Sequence, residues 1–144
     1  MKRMHATAVA IRGKGILLRG RSGAGKSDLA LRLIDGGAKL IADDVVEVEK
    51  RGTRLEARAP TRLRGKMEVR GVGIVAVPTV RRASVVLVVD LVAADAVERY
   101  PEPAHAHILG IRVKLLKLWA FEASAPAKLR LAVKEREADS TAPR

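Results

Sequence analysis

Eight consecutive residues, Gly20-Arg21-Ser22-Gly23-Ala24-Gly25-Lys26-Ser27, satisfy the pattern G-x-x-x-x-G-K-[ST] at every fixed position. They stand between an apolar run, Ile16-Leu17-Leu18, and a segment of helical apolar spacing that begins at Ser27. Strand, glycine-rich loop and helix in that order make a phosphate cradle. The glycines let successive backbone N–H groups point inward at phosphate oxygens, and the helix adds its positive N-terminal end. In such a loop Lys26 reaches the β- and γ-phosphates and Ser27 offers its hydroxyl to Mg²⁺. The run from Gly20 to Ser27 is therefore the candidate nucleotide site, with ATP and Mg²⁺ the expected cofactors. The bland alternative is a glycine-rich turn before a helix, and the flanking elements favour the cradle.

A chain of 144 residues supplies one domain and one core. With no cysteine there are no disulfides or thiolate metal sites, in agreement with a cytoplasmic location. Charges interrupt every apolar run, so no membrane span is expected. The net charge of +12 raises nucleic acid as a partner. Against that, the basic residues are spread along the chain and only Tyr100, Trp119 and Phe121 could stack on bases. An acidic protein partner or a phosphorylated ligand accounts for the same charge.

Periodicity predicts more strands than helices. Strands over 6–11 and 16–19 flank a hairpin turn at Arg12-Gly13-Lys14-Gly15, which brings His5 towards the phosphate loop. A helix over 27–35 stops at Gly36-Gly37 and returns through a strand at 39–42 that ends in Asp43-Asp44, a βαβ unit. Further strands are expected at 45–49, 54–57, 67–77 and 108–118, with 85–91, the most apolar stretch, at the centre. A short helix is expected over 94–100 and a terminal helix over 127–137. The class is α/β with a strand-rich sheet, one domain over 1–137 and a disordered tail over 138–144.

Phosphoryl transfer to a hydroxyl calls for a carboxylate near the metal and one to accept the hydroxyl proton. On spacing alone, Asp43-Asp44 at a strand end competes with Asp90, which follows four apolar residues as in a Walker B strand. The doublet is preferred because adjacent carboxylates can divide the labour, with Asp90 in reserve.

These residues resemble a known family. The loop at 20–27, the strand Leu40-Ile41-Ala42-Asp43-Asp44 and the segment Glu68-Val69-Arg70-Gly71-Val72-Gly73-Ile74 are similar to the catalytic domain of HPr kinase/phosphorylase, over roughly 4–100. In form it resembles short, alphaproteobacterial members. The resemblance implies a fold like the nucleotide-binding part of phosphoenolpyruvate carboxykinase. It also implies a serine kinase acting on an HPr-like phosphocarrier of the phosphotransferase system, assembled as a hexamer. By the same resemblance Lys26 holds phosphates, Ser27 ligates Mg²⁺ and Asp43 exchanges the proton of the target serine. Glu68 becomes a second Mg²⁺ ligand after Ser27, while the division of labour in the doublet already gives Asp44 the support of the metal; Arg70, Gly71 and Gly73 belong to the shared signature. His5 and Arg99 match the family's further active-site His and Arg.

Two departures accompany the likeness. The chain begins close to His5, so the separate N-terminal domain of longer members is expected to be absent. Lys117-Leu118-Trp119-Ala120-Phe121 stands where longer members carry P-x-[RK]-x-G-R-N, which favours the kinase direction over phosphorolysis. Arg62, Arg64 and Lys66 form a candidate substrate-contacting flap. His105 and His107 are expected to be solvated in a loop, and Arg81-Arg82 to be a surface turn. The competing functions are a small-molecule kinase, a non-catalytic nucleotide-binding regulatory module and, last, a nucleic-acid binder.

Overall fold

Four strand ends and the start of a fifth strand open on one edge of the sheet, and that edge carries the phosphate loop. The computed structural model describes residues 1–141, with side chains described through Lys134. In chain order the strands are β1 (Lys2–His5), β2 (Thr7–Ile11), β3 (Lys14–Arg19), β4 (Lys39–Ala42), β5 (Val45–Arg51) and β6 (Arg54–Arg58), followed by β7 (Lys66–Val69), β8 (Gly73–Ala76), β9 (Arg82–Leu91), β10 (Ala104–Ile108) and β11 (Ile111–Leu118). Helix α1 covers Lys26–Asp35 and α2 covers Ala125–Thr141.

Nine strands form one mixed sheet and β7–β8 form a separate two-stranded hairpin. Strand β9 pairs in parallel with β3 and β11, and its early residues pair antiparallel with β6. Strand β2 lies antiparallel between β3 and β4, so the β3–α1–β4 unit is the expected βαβ with one strand inserted. The carboxyl ends of β3, β4, β9 and β11 thus share an edge with the start of β2, the position where open α/β sheets bind ligands.

Alternation along the central strands feeds two cores. Val9 and Ile11, Ile16 and Leu18, and Leu87 and Val89 pack with Leu29, Leu33, Leu129 and Val133 of the helices. Ala8, Ala10, Leu17 and Val88 face the other way, onto Val46, Val48, Leu55 and Ala57 of β5 and β6. Because both faces of β2 are covered, its residues are all buried and its sequence reads as a continuous apolar run. Helix α1 buries Leu29, Ala30, Leu33 and Ile34 on one stripe, each large residue contributing about 1.5–3 kcal/mol.

Several boundaries differ from the sequence expectation. Residues 2–5 form an edge strand against β5, a pairing set by partners forty or more positions away. The expected strand over 67–77 is a hairpin, because Arg70-Gly71-Val72 turns the chain between β7 and β8. Over 94–100 only a 3-10 turn at Ala94–Ala96 forms, before Pro101 and Pro103. His105 and His107 lie in β10 rather than in a loop. Helix α2 runs on through Thr141, four residues into the expected tail, and 142–144 lie outside the described residues.

At Gly15 strand β3 packs tightly against β9. A β-carbon there would lie 2.8 Å from the Ser84 carbonyl oxygen, which is backbone and has little freedom to retreat. Gly15→Ala is therefore expected to cost about 1–3 kcal/mol by overpacking, read as a lower urea midpoint; an unchanged midpoint would contradict the close approach.

Candidate functional site

The loop leaving β3 turns back on itself before α1 begins. Gly25, at φ 96°, adopts a left-handed conformation that a side chain would strain, and Ala24 N–H donates to the Arg21 carbonyl at 2.9 Å. Lys26 folds into this loop, its Nζ donating to the carbonyls of Gly20 at 2.8 Å and Arg21 at 3.0 Å. Only 7% of Lys26 is exposed, yet no carboxylate partners it among the described residues. A buried ammonium held by neutral carbonyls at a helix N-terminus is under-compensated, and a polyphosphate is the counter-charge that such a cradle suits.

One turn of α1 later in space, the first acid of the doublet arrives from β4. Ser27 Oγ donates to Asp43 Oδ1 at 2.7 Å, and the wholly buried Thr7 donates its hydroxyl to the same oxygen at 3.1 Å. Thr7 Oγ1 also accepts the Asp44 backbone N–H at 3.3 Å. Thr7 therefore stitches the doublet to β2. Both described bonds fall on Oδ1, so Asp43 is anchored through one oxygen and presents the other. Thr7 escaped the sequence reading because a threonine opening an apolar strand is an ordinary β residue; its partner lies 36 positions away.

Asp44 turns elsewhere. Its φ of 69° is the left-handed region, a strained state for a residue other than glycine. Its carboxylate lies 3.4 Å from His5 Nε2, with both side chains largely exposed. His5 consequently faces Asp44 rather than Asp43. Asp90, the competing acid, is engaged differently. Arg19 grips Asp90 in a two-pronged ion pair, Nε to Oδ1 at 2.8 Å and Nη2 to Oδ2 at 3.1 Å. A carboxylate with both oxygens occupied by a guanidinium is poorly placed to serve a metal.

The remaining sequence candidates are not drawn to Asp43 by any described contact. Glu68 and Arg70 are exposed on the β7–β8 hairpin, along with Gly71 and Gly73; the hairpin is rooted through the buried Met67 and the bonds of 78–80 to Leu40. Arg99 is exposed, with its guanidinium 5.6 Å from the centre of the Tyr100 ring. Arg62 and Arg64 are exposed around a 3-10 turn at Thr61–Leu63. His105 accepts a bond from Arg112 at 3.2 Å, and desolvation followed by the charges of Arg112, His107 and Lys114 holds its pKa below the ordinary value. That agrees with a structural rather than a metal-binding role.

A second element missed by sequence reading closes the other flank of the loop. Arg32 of α1 pairs with Asp28 at 3.0 Å and donates to the carbonyls of Ala120 and Glu122 in the turn after β11. Lys128 clasps Glu122 at 2.7 Å, and that bond is the main cause holding the Glu122 carboxyl below its ordinary value. The clasp is thus present at neutral pH and lost as pH falls through that lowered value. The turn so held puts Phe121 Cζ 3.0 Å from where a Gly25 β-carbon would stand.

The donor set fits a magnesium–nucleotide. Mg²⁺ favours hard oxygens and is held by one or two carboxylates together with substrate phosphates, not by an all-protein cage. Ser27 Oγ and Asp43 are such oxygens, already within hydrogen-bond distance. No group of three or more His, Asp or Glu positioned for a metal occurs among the described residues.

A family model, HPr Serine kinase C-terminal domain, matches residues 1–122. The chain belongs to that family. An HPr kinase/phosphorylase from Cupriavidus necator is 36% identical over 126 residues, covering 80% of this chain and 39% of the relative. One from Exiguobacterium sp. is 44% identical over 87 residues, or 60% of this chain and 28% of the relative. The chain thus spans roughly a quarter to two-fifths of the length of these relatives. Among solved structures, the Hpr(Ser) kinase/phosphatase from Coxiella burnetii superposes with a TM-score of 0.87 at 26% identity, covering 99% of this chain and 100% of that one. The strand-rich α/β sheet read from the sequence is the family's fold.

Thr7→Val removes the hydroxyl that both steadies Asp43 and satisfies the Asp44 N–H. It is expected to cost about 1–3 kcal/mol of stability by leaving a part-buried donor unpaired, measured by denaturant unfolding. A loss below that range would show that Thr7 does not hold the doublet.

Proposed function

We propose that this chain is an ATP-dependent, Mg²⁺-requiring kinase domain that phosphorylates a serine of an HPr-type phosphocarrier protein. The observation that carries the reading is the 2.7 Å bond between Ser27 Oγ and Asp43 Oδ1, which joins the phosphate loop to the only acid of the doublet turned towards it. Family membership supports the acceptor class, and the relatives are HPr kinases/phosphorylases by name.

In this reading the loop from Gly20 to Gly25 wraps the triphosphate with backbone N–H groups, and Lys26 turns its ammonium from the loop carbonyls towards the β- and γ-phosphates. Mg²⁺, when bound through Ser27, neutralises charge on the phosphate oxygens. Asp43 accepts the proton of the acceptor serine as its oxygen attacks the γ-phosphorus and the bond to the bridging oxygen of ADP breaks. The oxygen of Asp43 not taken by Ser27 and Thr7 is the one available for that proton. In reverse, the same carboxyl returns the proton to the departing serine oxygen.

Asp44, the outer acid of the doublet, and its partner His5 suit a role in meeting the acceptor. Glu68 as a further metal ligand, and Arg99 with the Arg70–Gly73 turn as contacts to substrate, require these exposed segments to close on the loop when the carrier docks. Cytoplasmic location and assembly into a homo-oligomer, a hexamer by family likeness, complete the proposal. Among the described residues no helix is long and apolar enough to cross a membrane.

The test incubates the protein with γ-labelled ATP, Mg²⁺ and an HPr-type carrier, comparing wild type with Asp43→Asn. Transfer to the carrier serine is expected to fall by about 10²–10⁴-fold, a loss larger than any in Mg·ATP affinity. Equal labelling by both proteins would remove Asp43 from its role. ATP binding without transfer to any carrier by the wild type would favour the non-catalytic regulatory module.

A further inference from the structure

The chain has three aromatic residues, and none is in the core. Tyr100, Trp119 and Phe121 are 82%, 37% and 53% exposed. All three follow the carboxyl ends of β9 or β11, on the edge that carries the phosphate loop. Trp119 and Phe121 flank the wholly buried Ala120, in the turn that Arg32 holds by two carbonyls. Phe121 rests its Cζ and Cε1 3.0 and 3.1 Å from the Gly25 β-carbon position, so its ring lies against the phosphate loop with half its surface open. A ring fixed this firmly yet left in water is a surface made for a flat apolar ligand.

We propose that Phe121, with Trp119 beside it, forms the stacking wall for the purine base of the nucleotide whose phosphates the loop holds. The inference rests on the nucleotide-binding reading above and adds the other end of the ligand. Sheet order makes the site polar. On one side of β3 stand β2 and β4, with Thr7, Asp43 and Asp44; on the other stand β9 and β11, with the aromatic turn. On the aromatic side Asp90 is paired with Arg19 and Glu122, beside Phe121, with Lys128. The γ-phosphate belongs at the acid flank, where the acceptor proton is taken. The base, at the opposite end of the ligand, then lies towards Phe121.

Trp119 is the sole tryptophan, so its emission reports on this flank directly. The experiment titrates Mg·ATP and Mg·tripolyphosphate into wild type, Phe121→Ala and Phe121→Leu, following binding by calorimetry and Trp119 fluorescence. Phe121→Ala is expected to weaken ATP about 5- to 100-fold, the range for loss of one base–aromatic stack, and to leave tripolyphosphate affinity unchanged. Phe121→Leu, which keeps an apolar contact on Gly25, is expected to lose ATP affinity with the same selectivity, and covers the case in which the alanine variant unfolds. ATP, but not tripolyphosphate, should alter Trp119 emission. Equal losses for both ligands would show that Phe121 only props the loop, and undiminished ATP binding would show that it contributes nothing; either overturns the inference. If the wild type binds neither ligand, the phosphate-loop reading itself falls, and the stacking wall with it.

Discussion

One carboxylate oxygen, Asp43 Oδ1, accepts hydrogen bonds from two hydroxyls that reach it from different elements. Ser27 comes from the first turn of α1 and Thr7 from the start of β2. Without these bonds the doublet would be a polar strand end and the loop a glycine-rich turn. With them, the glycine-rich loop and the acid doublet are joined into one unit, on which the proposed phosphate-holding and proton-accepting roles rest. The geometry depends on β2 being inserted between β3 and β4, since that insertion places Thr7 under the acid.

Charge is sorted around that unit with little waste. Arg19 occupies both oxygens of Asp90, so the acid of the Walker B-like strand is already paired. Lys26 is buried against carbonyls, a state that an incoming polyphosphate improves. Arg32 uses its guanidinium to fasten the turn after β11 to the helix that begins at the loop. Cations thus act one step behind the site as well as in it, and part of the +12 net charge is structural in purpose.

The legible parts of the molecule were those whose determinants are close in sequence. The loop, α1, its Gly36-Gly37 stop and β4 could be placed because spacing, glycines and apolar alternation all act within a few residues. The central position of β9 followed from its unbroken apolar run. By contrast, β1 exists through pairing with β5, and β10 carries two histidines in a strand because β11 pairs with it. Thr7, the Arg19–Asp90 pair and the Arg32 clasp on the 119–122 turn join residues 36, 71 and about 90 positions apart, and no local pattern marks such partners. The signature segment was legible as a motif but not as a hairpin, since its glycines read equally well as strand interruptions.

The claim at the centre is that Ser27 and Asp43 act together on the metal–nucleotide. A double-mutant cycle of Ser27→Ala and Asp43→Asn, read as Mg·ATP dissociation constants, measures that directly. Coupled residues sharing a ligand should show an interaction energy of about 0.5–3 kcal/mol that largely vanishes when Mg²⁺ is withheld. Strictly additive effects, with or without the metal, would mean that the hydroxyl and the carboxylate serve separate ends and that this account of the site is wrong.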